Sequence, residues 1–554
     1  MATDGRLDFE GLQYYHNTKV VPKINGLLPV IINDTNYFDV MKAWFLSNGC
    51  NVMTDFTKLC DSWYKYARKG WSGGTLFANP DTSSLSAGTR TGDNVGMNCT
   101  PSTFTEHNSD SFELNPLFAI RDCNVYLDED GEPKITAIDG ICGSFVKNDT
   151  SKIVGVLQAT GWWKRIDNAD GSYEYDYTDE IGKTGYHPLP EAVRLSDNTV
   201  RSWVVHAKYP FGDNYTCCSG QKVKVWDVSH NGQLTGVHTA WGNRYCGMTS
   251  ADDAFLKLML YIKYARLDSD SVLHGCNSYN YTYQLALAET GVERIIITTA
   301  QAANLEVGST ICVGTASSRG SKSTNTNLLD RVVITAIETI DINGTSYGAV
   351  YVDNGGVTFN TDTTYYMYTF QWHTGHTDNC LGNDGGQNPL SDKFPVRLQG
   401  IEYMVGCYEV KGDTILQYES LNGTAVQRAY VCRDATKLAT SITANYKGAA
   451  FGYPKPSSSG WTWPKQMGYD SSLPELITPV MAGGSSSTFI RDAYYIENAT
   501  SGLREWLSFG TLNTGLTYAG LSCMLGANSL GYPTWRLGGR LSLTGNRGEF
   551  QLSA

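Results

Sequence analysis

Apolar positions recur at helical spacing in three stretches of the chain and at strand spacing in much of the rest. The stretch "NYFDVMKAWFLSNG" puts Phe38, Met41, Trp44 and Phe45 on one helical face, with Asn36 placed to cap the start and Gly49 to stop the end. "TDFTKLCDSWYKYARKG" sets Phe56, Leu59, Cys60 and Trp63 at i, i+3, i+4 and i+7 and closes at Lys69 and Gly70. "TSADDAFLKLMLYIKYARLD" is the clearest helix. Ser250 stands as its cap, Asp252 and Asp253 fall in the electropositive first turn, and Lys263 and Arg266 fall in the electronegative last one. Phe255, Leu258, Met259 and Ile262 form its single apolar stripe.

Between these helices the period changes. Residues 71–110 are rich in Gly, Ser, Thr and Asn and read as a long loop, while strands dominate from Phe112 to about Arg194. "NVYLDEDGEPKITAIDG" and "WWKRIDNADGSYEYDYTDE" each predict two strands joined by an Asp-Gly turn, the second at Asp170 and Gly171. Residues 290–370 are again strands, with Asn343 and Gly344 as a hairpin signal, and 371–554 is an array of turns and short strands almost without helix. The expected fold class is α+β. A segment 1–34 for attachment or oligomerisation precedes a β-rich domain at 35–199 with two N-terminal helices. A second domain at 200–554 carries a small β insertion at about 285–370.

Composition narrows the function classes. The 554 residues include 57 Gly and 34 Tyr, a mixture of turns and rigid amphipathic side chains that suits recognition surfaces. With a net charge of −12 the chain is a poor match for a phosphate backbone, so no nucleic-acid partner is expected. No apolar run reaches the length of a membrane span, so no membrane insertion is expected, and the first residues lack the basic start and apolar core of a secretory signal. The 14 cysteines show no CxxC pair and read as reduced, buried thiols.

Candidate chemistry is sparse. His373, His376 and Asp378 in "WHTGHTD" are metal-ligand types, but the intervening glycine breaks the helix that would align them. "DNCLGNDGGQNPLSD" has the oxygen density of a calcium loop, and Asx-Gly turns account for the same composition, so no cofactor is expected beyond a possible Ca²⁺. No nucleophile elbow and no phosphate cradle are present. The chain is therefore read as a non-enzyme.

Three stretches, in order, resemble the C-type-lectin-like fold of formylglycine-generating enzymes and of retroelement-diversified phage receptor-binding proteins. They are "DDAFLKLMLYIKYAR", "FPVRLQGIEYMVGCYEVKGD" and "WRLGGRLSLTGNRGEFQL". Gly400, Ile401, Glu402, Met404, Gly406 and Glu409 match the second motif and Gly538, Gly539, Arg547, Gly548 and Phe550 the third, while Cys407 replaces the usual Asn. The whole-chain plan is similar to phage tail fibres and other virion adhesins.

The resemblance implies that 200–554 is a C-type-lectin-like domain. Its framework would be Gly400, Glu402, Gly406, Trp535, Gly538, Gly539, Arg547, Gly548 and Phe550. Its receptor-binding residues would be Asn528, Ser529, Tyr532, Thr534, Arg536, Arg540, Ser542, Thr544 and Asn546, all pointing outward. It further implies a virion protein made in the host cytoplasm. Such a protein would bind a bacterial cell-surface receptor, glycan or protein, as a homotrimer joined to other virion proteins through its N-terminus. Two alternatives stand beside it, a structural or decoration virion protein and a glycan-active enzyme. The paired cysteines of the enzyme branch and the calcium ligands of sugar-binding lectins have no counterpart here.

Overall fold

The computed structural model describes residues 36–552; the segment 1–34 expected to serve attachment lies outside them. The chain is β-rich and is built from several mainly antiparallel sheets around a few helices. Helix Tyr37–Ser47 buries Tyr37, Met41 and Phe45 and leaves Phe38 and Trp44 half-buried, so its inner face is turned slightly from the predicted one. Helix Thr57–Tyr66 buries Cys60, Trp63 and Tyr64. The two helices meet where the Trp63 indole donates to the Tyr37 hydroxyl at 3.0 Å.

The first five-stranded sheet runs Thr89–Gly92, Ser72–Phe77, Tyr173–Thr178, Trp162–Asp167 and His187–Pro188. Two of its strands lie in 71–110, which the composition had marked as loop. The glycines within Ser72–Phe77 serve close approach: a Cβ on Gly74 would stand 2.6 Å from the Tyr175 carbonyl oxygen of the neighbouring strand. The predicted hairpin at Asp170 and Gly171 joins two of these strands.

A second sheet orders Pro133–Ile138, Arg121–Leu127, Ile153–Ala159 and Trp203–Ala207. Its last pairing, Gly155 to Ala207 through Ala159 to Trp203, crosses the expected boundary at 199/200. One buried cluster also extends from Tyr37 to Leu543. Among the described residues, strands and core side chains from both sides of that expected boundary therefore pack together.

The reason is the helix Ser250–Met259, continued by one π turn at Leu260–Tyr264. Every residue from Ser250 to Tyr264 is buried, so the predicted single apolar stripe is replaced by burial all round. Phe255 stacks on His206 at 4.2 Å, Tyr261 packs on Tyr175 at 4.8 Å, and Thr75 donates to the Tyr261 carbonyl at 2.8 Å. The charged positions that resembled a solvent face are neutralised inside. Lys257 meets Asp253 at 2.7 Å, and Lys263 meets Asp384 at 2.8 Å and Asp110 at 3.1 Å. The cap is Thr249 rather than Ser250. Thr249 and Asp252 form a reciprocal capping box, and Ser250 is committed to Asp413 by two contacts of 2.9 Å.

One helix, His230–Trp241, has no clear stripe in the sequence because glycines and threonines interrupt it; Ser229 caps it by accepting from Gly232 N–H at 3.0 Å. The β insertion is a six-stranded sheet within 282–370 with its own buried cluster. Its longest hairpin, Leu329–Ile342 with Thr345–Asp353, turns through Asn343 and Gly344, both at positive φ. The C-terminal part forms a nine-stranded sheet whose centre is Tyr408–Leu421.

Candidate binding surface

The closing segment divides after Arg536. From Leu537 to Gly548 the chain is sealed. Arg540 places Nε 2.6 Å from Glu409 Oε2 and Nη2 2.7 Å from Oε1, and donates further to the carbonyls of Glu402 and Ala207. Arg547 Nη2 donates to Asp413 at 2.8 Å, the same carboxylate that receives the amide of Ser250 at the central helix's first turn. The strand Leu537–Gly538 runs parallel beside Tyr408 and Glu409, and Leu541–Ser542 pairs with Cys246–Gly247. A Cβ on Gly538 would come within 2.6 Å of Cys407 Sγ, so glycine is what allows this approach.

This geometry corrects four of the expected receptor-binding residues. Arg540, Ser542, Thr544 and Asn546 are at most 5% exposed and face inward. The chain there is threaded between the start of the central helix and the C-terminal sheet, and the polar side chains satisfy that buried seam. Ser542 donates to Asp252 at 2.7 Å, Thr544 meets Thr249 at 2.5 Å, and Asn546 donates to the Arg244 carbonyl at 2.9 Å. Of the expected framework, Gly400, Glu402, Gly406, Trp535, Gly538, Gly539, Arg547 and Gly548 are buried. Phe550 is half-buried, edge-on to Trp162 at 5.3 Å.

From Asn528 to Arg536 the chain is mostly outside, with only Leu530 and Trp535 buried. Ser529, Tyr532 and Arg536 are exposed, Tyr532 by 58%, and Asn528 and Thr534 are half-exposed. The backbone under them is fixed: Asn528 accepts from Glu505 N–H at 3.0 Å, Leu530 from Asn231 N–H at 2.8 Å, and Thr534 from Trp226 N–H at 3.2 Å. Polar side chains thus project from a pinned tip.

Sheet register brings a second set of residues beside this tip. Val410 pairs with Leu507, Leu507 with Leu525, Leu525 with Tyr495 and Tyr495 with Trp461, which sets all five on one sheet face. Val410 and Leu507 are fully buried, whereas Leu525, Tyr495 and Trp461 are half-exposed, so this face runs out of the core into the open. Tyr518 and Trp463, also half-exposed, stack onto it. Only Gly526 and Ala527 separate Leu525 from Asn528, a reach of about 11 Å at most, so the inner end of this ledge lies beside the start of the tip. Sequence reading missed the ledge; "GWTWP" and "AYYI" are its only local signals, and they lie far apart in the chain.

The remaining candidates are occupied by the fold. His373 Nε2 lies 2.9 Å from the Arg331 carbonyl, His376 packs at a tilt against Trp372 with centroids 4.1 Å apart, and Asp378 accepts from Tyr209 at 2.6 Å and Ser219 at 2.7 Å. These three side chains do not converge on a metal. Glu402 organises their segment instead, accepting from the amides of Gly375 at 2.9 Å and Thr377 at 2.8 Å. In the loop 378–392, Asp384 is held by Lys263, and Asp392 accepts the amides of Asn277 and Ser278 at 2.9 Å.

Among the described residues one trio has metal-ligand spacing, Cys99, Asp110 and Asp384, and the Lys263 ammonium already sits against both carboxylates. Ser542, Asp252 and His206 are linked in a row, but the carboxylate stands between hydroxyl and imidazole. The imidazole is therefore not placed to take the serine proton. All 14 cysteines are unpaired, and only Cys99 is not fully buried.

No protein-family model matches the chain, and no curated protein matches it either.

Proposed function

We propose that this protein is a phage virion adhesin that holds a bacterial surface receptor with the tip 528–536 and the adjoining aromatic ledge, carried on a C-type-lectin-like frame. The observation that carries the reading is the contrast across the step from Arg536 to Leu537. Residues 537–548 are sealed by two buried arginine–carboxylate pairs, and residues 528–536 project polar and aromatic side chains from a pinned backbone. A recognition surface of this kind loses little entropy on binding. The return of the closing strand beside Cys246–Gly247 and Tyr408 supports the lectin-like frame. Attachment through residues 1–34 and assembly as a trimer belong to the same proposal, with modest single-site affinity raised by multivalency.

The test is adsorption of the labelled full chain to a panel of bacterial strains. Retention by at least one strain, lowered tenfold or more in the Tyr532→Ala, Arg536→Ala double variant, supports the reading. Retention by no strain, or unchanged adsorption of the double variant, overturns it.

A further inference from the structure

The ledge is made of one kind of chemistry. Trp461 stands edge-on to Tyr495 with ring centroids 5.3 Å apart. Tyr518 lies 5.0 Å from Trp461 and 5.5 Å from Trp463, nearly parallel to the latter at 29°. The rings are locked in place. Trp463 Nε1–H donates to the Thr517 carbonyl at 3.0 Å, and Thr462, between the two indoles, meets the Tyr453 hydroxyl at 2.9 Å and the Tyr494 carbonyl at 3.1 Å. Four aromatic side chains held half-exposed in fixed positions form a platform that binding need not order.

The rim decides what such a platform accepts. Ser459, Asn498, Asn513 and Thr517 are exposed around it, all neutral and able to donate or accept through side chain or backbone. The charged residues nearest in sequence are already paired, Glu497 with Arg504 at 2.9 Å and Lys465 with Asp81 at 2.5 Å. Neither pair leaves a cation free for a phosphate at the ledge, and the net charge of −12 repels polyanions. Electron-rich ring surfaces attract weakly positive C–H groups, and a rim of hydroxyls and amides matches ligands whose own hydroxyls both donate and accept. That combination describes a hexopyranose, with its apolar C–H face and hydroxyl edge. Resting on the adhesin reading, we infer that the ledge of Trp461, Trp463, Tyr495 and Tyr518 binds the neutral glycan portion of a bacterial surface polymer.

Trp463 and Tyr518 belong to none of the buried clusters, so they can be removed without opening the core. The experiment uses the full chain and two measurements. In the first, tryptophan fluorescence and calorimetry follow titration with neutral oligosaccharides of glucose, galactose, mannose and N-acetylhexosamine. In the second, adsorption to the strain panel is measured before and after periodate or protease treatment of the cells.

The expected result is quenching by at least one oligosaccharide and loss of adsorption after periodate. Affinity should fall at least tenfold in Trp463→Ala and in Tyr518→Ala, with partial rescue in Trp463→Phe and an unchanged unfolding curve. Adsorption that survives periodate but not protease means a protein receptor and overturns this inference while the adhesin reading stands. Adsorption that is periodate-sensitive yet unchanged in both alanine variants moves the glycan off the ledge and also overturns it. Adsorption to no strain removes the adhesin reading, and with no oligosaccharide response it removes both.

Discussion

The guanidinium of Arg540 and the carboxylate of Glu409 face each other through two hydrogen bonds of 2.6 and 2.7 Å, with both side chains at most 2% exposed. This contact ties the closing segment to the central strand of the largest sheet. It lies within Leu537 to Gly548, the stretch where the closing chain is buried.

Removing one partner leaves a buried charge without its counter-ion. Arg540→Ala should cost about 3–5 kcal/mol, read from urea unfolding, and Arg540→Lys should recover little of it because a single ammonium cannot reproduce the bidentate contact. Replacing both partners by apolar residues, as in Arg540→Met with Glu409→Leu, should cost distinctly less than the sum of the single changes.

The tip should behave oppositely. Tyr532→Ala and Arg536→Ala remove exposed side chains and should shift unfolding by no more than about 0.5 kcal/mol each. Stability and adsorption are thus separable, by residue, on the two sides of the step from Arg536 to Leu537.

His206 links stability to pH. Burial by itself would lower its pKa, but Asp252 at 2.9 Å and Glu191 at 3.1 Å hold it up at about 9. A base whose folded pKa is raised contributes stability that is fully present below its unfolded value near 6.5 and is lost as pH rises through about 9. That contribution is about 3 kcal/mol. His206→Gln should flatten the decline of thermal stability between pH 6.5 and 9.

Asp270 acts in a lower window. Burial, followed by the neighbouring Asp268 carboxyl, raises its pKa to about 7, against the opposing charge of Arg491. The folded state keeps a proton that the unfolded chain releases near 3.8, so this contribution is present at acid pH and is lost as pH rises from about 4 to 7. Asp270→Asn should remove that slope and leave the protein more stable near pH 7.

Gly412 tests backbone contact. A Cβ there would lie 2.7 Å from the amide nitrogen and 3.0 Å from the Cα of Gly247, and main chain cannot swing aside as a side chain can. Gly412→Ala should cost about 1–3 kcal/mol, measured by thermal unfolding, by forcing the central strand away from the strand that precedes the central helix.

Local order set much of this protein by sequence alone. The Asn343–Gly344 and Asp170–Gly171 turns follow from residues that accept positive φ, and the helices around Met41, Trp63 and Leu258 follow from apolar spacing. Glycines at 538 and 539 and the motif around Gly406 are legible as places of close packing, because only glycine tolerates it. Tertiary structure alone decided which polar residues face water. Lys257, Lys263, Arg540 and Thr544 have the composition of a surface and are buried, because each meets its partner from a segment far off in the chain or across a helix turn. The ledge is the converse case. Trp461, Tyr495 and Leu525 are core types by composition, yet they stay half-exposed because register carries their sheet face past the edge of the core. Exposure depends on what lies opposite each side chain, and that is a property of the assembled sheets.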